Sequence, residues 1–354
     1  MNRGRRPRVV LYNPRAVFFT MPLALLALAS SLDRHEIEVI IIDGRLEADP
    51  IGRVVAAAEG ALCLGVTVLT GAPIHDALRV SRAVKAAHPS CTVVWGGWHP
   101  SLFADECLED PAVDMAVVGQ GEEAFAVIVD RLRRGERCQG RVGGQRLRDL
   151  NELPAHDYSL LPVDRYFALK GRRQIDYISS QGCRFRCAFC ADPAVYARGW
   201  TGLTPERVAH EISELKLRYH VTEIAFQDET FFTHTDRVTR LADEFLARDL
   251  RVAWTATLRA DQACRMSERV FASAVRAGLS RVMIGVESGA QATLDRLQKD
   301  LKLEQVIAAA QMCAKYDVGA IFNFIVGFPG EPDESINATL SLAKRLRAMH
   351  PRFE

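Results

Sequence analysis

From Arg8 to about Gly135, short apolar runs alternate with stretches of helical spacing. Val9–Tyr12, Val39–Asp43, Leu62–Leu69, Thr92–Trp95 and Met115–Val118 are rich in Val and Ile and do not alternate with polar residues. Strands covered by helices on both faces need that composition. Between them, Leu23–Leu32, Ile51–Glu59, Ile74–Ala87, a short piece near Leu102–Leu108 and Glu122–Arg133 carry helical patterns. The alternation predicts right-handed crossovers and an open parallel α/β sheet of flavodoxin-like (Rossmann-like) order. In such a sheet a ligand sits beyond the carboxyl ends of the strands.

A second series follows a strand that ends near Tyr177. Helix Pro205–Tyr219 leads to strand Glu223–Phe226, a helix through Leu246 to Val252–Thr257, Glu268–Ala277 to Arg281–Val286, and Leu303–Tyr316 to Ala320–Val326. Glu334–Met349 reads as a fifth helix. Polar or charged residues follow each strand, on the rim where barrel enzymes collect their chemistry. Any one of them alone is equally a helix cap. The expected organisation is a domain over residues 1–136, a connection with one short helix over 137–173, and a partial barrel over 174–354. Five strands are counted; the resemblance described below implies a six-stranded (β/α) barrel, so a fragment lacking its C-terminal part is expected.

The N-terminus offers a rival reading. Arg3, Arg5, Arg6 and Arg8 precede an apolar stretch, and Ala27-Leu28-Ala29-Ser30 has the small residues of a secretory cleavage site. However, Asn13-Pro14-Arg15 and Pro22 interrupt that stretch, and Ala16–Leu32 falls short of the ~20 residues a membrane span needs. A folded domain without a membrane span is expected, in the cytoplasm. With 48% hydrophobic and 25% charged residues the chain is not mostly disordered. Lys plus Arg is 45 against 44 for Asp plus Glu, a formal charge of +1. No basic surplus is left for phosphate backbones, so no nucleic-acid partner is expected. Nine cysteines, an odd number without framework spacing, fit a reducing compartment.

Three turns at the carboxyl edge of the first sheet stand out: Thr67-Val68-Leu69-Thr70-Gly71, Gly96-Gly97-Trp98-His99-Pro100 and Gly119-Gln120-Gly121-Glu122. Each alone can be a tight strand-to-helix turn. Three on one edge favour a ligand cleft, because glycines admit a bulky group to the backbone and threonine hydroxyls offer short polar contacts. The most specific motif lies further on, in Tyr177-Ile178-Ser179-Ser180-Gln181-Gly182-Cys183-Arg184-Phe185-Arg186-Cys187-Ala188-Phe189-Cys190. Three thiolates on one short loop can hold three irons of a cubane and leave the fourth open to a co-substrate. A structural zinc site would want a fourth ligand, and none follows at finger-like spacing. A redox Cys-x-x-Cys would use Cys187 and Cys190 but leave Cys183 idle.

This Cys-x-x-x-Cys-x-x-Cys loop resembles the radical S-adenosylmethionine signature. The segment Val93–Pro100, followed by Val117–Phe125, resembles the cobalamin-binding domain found ahead of such barrels, and the similarity covers most of residues 8–135. Together they resemble the cobalamin-dependent radical S-adenosylmethionine enzymes. The resemblance implies a 4Fe-4S cluster on Cys183, Cys187 and Cys190. It also implies S-adenosylmethionine contacts at Phe189, Gln227, Asp228, Glu229, Arg259, Glu287, Ser288, Val326 and Gly327. Glu229 would suit the amino group, Glu287 the ribose hydroxyls, and the backbone beside Gly327 the adenine. Cobalamin contacts are implied at Thr67, Thr70, Gly71, Gly96, Gly97, Trp98, His99, Gly119, Gln120, Gly121 and Glu122. The Asp-x-His-x-x-Gly pattern of methionine-synthase-like relatives is absent, with Arg45 where the histidine would stand and Ala48 where the glycine would.

The resemblance further implies an electron from an external flavodoxin- or ferredoxin-type reductant, a 5′-deoxyadenosyl radical, and methyl transfer from methylcobalamin to carbon of a small-molecule substrate. Oxidative ring closure or rearrangement, as in the anaerobic tetrapyrrole cyclase relatives, is the enzymatic alternative. A cobalamin- or metal-holding protein without turnover is the alternative of another class. A tRNA methylthiotransferase-like role is disfavoured by the neutral charge and by the lack of an upstream cysteine set.

Overall fold

Alternate residues of the first strands serve two different helical layers, and this decides the architecture of the N-terminal half. A computed structural model of the chain describes residues 6–17, 20–143 and 147–354, so Arg3 and Arg5 of the leader-like pattern lie outside the described residues. The chain divides into two compact units. The first comprises Met1–Arg148 with Glu152–Gly171 and Ala194–Ala197; the second comprises Asp149–Asn151, Arg172–Pro193 and Arg198–Glu354.

In the first unit, β1 (Arg8–Asn13), β2 (Glu38–Asp43), β3 (Ala61–Thr67), β4 (Thr92–Gly96), β5 (Met115–Val118) and β6 (Gly140–Gly143) form one sheet of order β2-β1-β3-β4-β5-β6. Every neighbouring pair is parallel. Val10, Tyr12, Leu64, Val66, Val93 and Trp95 pack on one face with helices Pro50–Ala58 and Ala72–Ala87. Val9, Leu11, Cys63, Val94, Met115 and Val117 pack on the other with Leu23–Ser30 and Glu122–Arg133. The expected flavodoxin-like order is present, with one strand more.

That extra strand, β6, lies in the segment expected to be a connection. Gly-Arg-Val-Gly has almost no strand signal of its own, and its register with all four residues of β5 supplies what its side chains do not. The expected helix Leu102–Leu108 is two short helices, Trp98–Leu102 and Ala104–Leu108, broken at the non-helical Phe103.

In the second unit, β7 (Gln174–Tyr177), β10 (Glu223–Phe226), β11 (Ala253–Thr257), β12 (Leu279–Glu287) and β13 (Gly319–Phe324) form a parallel sheet of order β13-β12-β11-β10-β7. Two short antiparallel strands, β8 (Ser180–Gln181) and β9 (Thr201–Gly202), clip the chain around the cysteine loop. Tyr177, Phe226, Phe231 and Trp254 form an aromatic core with ring centroids 4.7–6.0 Å apart. The last residues run parallel along β13: Ala320 N donates to Arg352 O at 3.2 Å and Phe322 N to Glu354 O at 2.9 Å. They make an isolated parallel bridge beside β13, at the edge of the five-stranded sheet. Among the described residues no helix is long and apolar enough to cross a membrane.

Candidate cluster and cofactor sites

The cysteine loop is held by groups that use none of its sulfur atoms. Asp228, one residue past Gln227 at the end of β10, is 1% exposed. Its carboxylate accepts from Ser179 N at 2.8 Å, Ser179 Oγ at 2.6 Å and Ser180 Oγ at 2.6 Å. Burial pushes this carboxyl up, while Arg237 and the two serines pull it down. Glu229 accepts from Gly182 N at 3.1 Å, next to Cys183. Farther along the loop, Ala188 N donates to Leu297 O at 2.9 Å. Arg186 forms a two-pronged pair with Asp300, at 2.8 and 2.9 Å.

Cys183 and Cys187 are buried, Cys190 is half-buried, and all nine cysteines of the chain are free thiols. Burial raises the Cys183 thiol and pushes Cys190 up to about 12, so metal ligation there must displace protons. Among the described residues no three His, Cys, Asp or Glu converge on a point where one ion would sit. Three free cysteines on one loop suit a cubane, in which each thiolate binds a different iron. Arg259 Nη1 lies 3.7 Å from Cys187 Sγ and supplies a positive charge to offset a thiolate.

The strand-end residues divide into two groups. Glu229 and the Ile325–Gly327 segment follow β10 and β13 at the carboxyl edge; Glu229 is half-buried, and Val326 is 51% exposed. Phe189 of the cysteine loop stands 6.0 Å from Phe328, and Gly327 N donates to Glu331 Oε2 at 2.8 Å. The others are committed elsewhere. Gln227 Nε2 donates to Asp176 at 3.1 Å, inside the sheet. Ser288 is fully buried and bonds Thr339 of helix Asp333–Arg347 at 3.2 Å, so its hydroxyl is engaged inside the unit rather than turned to a co-substrate.

Glu287 has a left-handed backbone, φ +68°, and pairs with Lys299 Nζ at 2.6 Å. Both side chains of the pair are under 10% exposed, at 9% and 7%. Gly285 leaves room for it, since a β-carbon there would collide with Glu287 Oε1 and stand 3.1 Å from Lys299 Nζ. Lys299 had no signal in the sequence: it sits in Leu-Gln-Lys-Asp-Leu, between helices, and only the fold brings it under Phe189, at 5.8 Å. Lys299→Met is expected to cost about 3 kcal/mol in denaturant unfolding, because Glu287 stays buried without its countercharge. Adding Glu287→Met is expected to restore most of the loss; a loss that persisted would mean packing, not charge.

Burial, with Asp192 and Asp228 nearby, pushes the Glu229 carboxyl from its ordinary 4.5 up to about 8. A carboxyl raised in the folded state stabilises fully below its unfolded pKa, and the contribution is lost as pH rises through the folded value. Between about pH 6 and 9 the metal-free chain should therefore lose about 2–3 kcal/mol through this group. Glu229→Gln cannot ionise and should flatten that slope. Equal slopes in urea titrations of the two proteins would count against it.

In the first unit the three expected turns do share the carboxyl edge. Thr67 and Gly96 end β3 and β4, and Gly71 precedes helix Ala72–Ala87. Gly97, at φ +97°, brings its backbone so close to Thr67 and Val68 that a β-carbon would lie 3.0 Å from Thr67 Oγ1. His99 Nδ1 and Thr70 Oγ1 are 3.3 Å apart, and burial lowers the His99 pKa. Trp98 stands edge-on to Tyr196 of the same unit at 5.5 Å. Gly119 N donates to Ser101 Oγ at 3.0 Å, and Gln120 Oε1 accepts from Arg148 N at 2.9 Å. Gly121 and the buried Glu122 open helix Glu122–Arg133. Arg45, in the histidine position, is locked: its Nε and Nη2 clasp Asp43 at 2.9 and 2.6 Å, and Tyr166 Oη donates to the same carboxylate at 2.6 Å.

Comparison with known proteins finds a family model for each half of the chain. Residues 11–129 match the B12 binding domain and residues 177–343 the radical SAM superfamily. An uncharacterised methyltransferase of Pyrococcus horikoshii is 31% identical over 96% of this chain and 76% of its own length. The anaerobic magnesium-protoporphyrin IX monomethyl ester cyclase of Rubrivivax gelatinosus is 26% identical over 79% of the chain, which spans about half, 54%, of that protein. The solved structure of the radical S-adenosylmethionine methyltransferase TsrM from Kitasatospora setae, with cobalamin and a 4Fe-4S cluster bound, shares the fold. Its TM-score is 0.79 at 18% identity, covering 97% of this chain and 73% of that one. The chain belongs to the cobalamin-dependent radical S-adenosylmethionine enzymes, whose cofactors are a 4Fe-4S cluster, S-adenosylmethionine and cobalamin.

Proposed function

We propose that this enzyme methylates carbon of a small-molecule substrate, with cobalamin as the methyl carrier and an external one-electron reductant of flavodoxin or ferredoxin type. The observation that carries the reading is the cysteine loop on the carboxyl edge of the second sheet, in one chain with a B12-type sheet and with a methyltransferase relative across 96% of its length. When bound, the cluster and S-adenosylmethionine supply a 5′-deoxyadenosyl radical, and cobalamin supplies the methyl group.

The chain's residues would divide the remaining work. Cys183, Cys187 and Cys190 would hold the cluster, and Asp228 fixes the backbone that presents them. Glu229 would receive the amino group of S-adenosylmethionine beside Gly182. Phe189, Val326 and the backbone at Gly327 would cover the adenine and keep water from it. Glu287, already neutralised by Lys299, would orient the ribose without adding net charge. In the first unit, Thr67, Thr70, Gly71, Gly96–His99 and Gly119–Glu122 would line the cobalamin cleft. With Arg45 clasped by Asp43, that motif offers the cobalt no imidazole.

The test is anaerobic incubation of reconstituted protein with a low-potential reductant, methyl-labelled S-adenosylmethionine and methylcobalamin. 5′-Deoxyadenosine is expected, and any acceptor should gain the mass of one methylene. The relative from Rubrivivax favours a second reading, oxidative cyclisation, in which the product would lose hydrogens instead. Absence of 5′-deoxyadenosine from iron-loaded protein would leave only a binding role.

A further inference from the structure

Arg259 follows β11 and is expected from the sequence to touch S-adenosylmethionine, yet its guanidinium is spent on other partners. Nε donates to Asp261 Oδ1 at 2.9 Å, Nη2 to Lys299 O at 2.7 Å and Nη1 to Cys187 Sγ at 3.7 Å. The plane lies on the Phe185 ring, with Cζ 3.5 Å from its centroid. Both contacts lie in the cysteine loop: Cys187 is a signature cysteine, and Phe185 stands at one of the positions between Cys183 and Cys187. Asp261 is 1% exposed and also pairs with Arg265 at 3.1 Å, so two arginines share one carboxylate. The positive charge beside Cys187 is thus not fully cancelled by its own anchor.

We infer that Arg259 is a positioning residue that sets the electron affinity of the cluster through Cys187. The inference rests on the reading of the three cysteines as cluster ligands. Reduction adds one electron to a thiolate-bound cluster. A fixed cation and an N–H···S hydrogen bond stabilise that extra charge more than the oxidised form, so they raise the potential. Being largely buried and stacked on Phe185, the guanidinium acts through less water than a surface arginine would. Asp192, which faces Cys183 and Cys190 and opposes this effect, is left in place by changes at Arg259.

The test uses full-length, iron-reconstituted protein in the absence of S-adenosylmethionine, poised with low-potential one-electron dyes and read by electron paramagnetic resonance of the reduced cluster. Arg259→Gln keeps an amide donor but removes the charge. At matched iron content its ratio of reduced to oxidised cluster at fixed potential is expected to fall roughly tenfold, about 59 mV for one electron. Arg259→Lys, which keeps the charge, should recover most of that. A ratio within twofold of wild type in iron-loaded Arg259→Gln overturns the inference, and so does a loss of S-adenosylmethionine affinity with no change in the ratio. If Arg259→Gln assembles no cluster, Phe185→Leu decides: it keeps the bond to Cys187 but admits water, and an unchanged ratio again overturns the inference. Wild-type protein that holds no iron would instead refute the cluster reading.

Discussion

Alanine at Cys183, Cys187 or Cys190 is expected to abolish iron loading and cleavage of S-adenosylmethionine together. Each thiolate would be one of three protein ligands in the proposed site, so its loss should exceed the roughly 10–100-fold effect of removing an outer partner of a metal site. Iron and sulfide analysis after anaerobic reconstitution, with 5′-deoxyadenosine measured on the same samples, checks the result. Cys264→Ala is the control, because that thiol is exposed and its nearest partner is the Gln305 carbonyl, at 3.6 Å. Full 5′-deoxyadenosine production by any of the three loop variants would remove the basis of the proposed chemistry.

Asp228→Ala is expected to destabilise the second unit by about 3–9 kcal/mol, since it leaves three buried donors without their acceptor at ~1–3 kcal/mol each. Two serine hydroxyls and one amide would be left buried without partners. Asp228→Asn keeps the volume and one acceptor oxygen and should cost about half as much. The readout is the denaturant midpoint at unchanged slope. A cost under about 1 kcal/mol for the alanine variant would show that Asp228 does not hold the loop.

The layered first unit and the strand–helix repeat of the second could be read from the chain because both depend on local periodicity. The cysteine loop could be read because its spacing is a property of one short segment. β6 could not, since four residues with glycine at both ends carry no pattern and pair only because β5 has a free edge. The partners of the strand-end residues were equally hidden. Glu287 precedes Lys299 by twelve positions, and Ser288 meets Thr339 fifty-one positions later. Arg259 and Cys187 are seventy-two apart. Sequence put these side chains on the right rim but could not show which would be consumed by neighbours.

The bonds that hold the signature loop run through backbone amides, serines and the Arg186–Asp300 pair, and none of them needs iron. In that respect the chain is unlike small zinc domains, which are unfolded without their ion. Oxygen that strips out the inorganic core should therefore leave a standing framework, and recovery becomes a matter of resupplying iron and sulfide to a folded host.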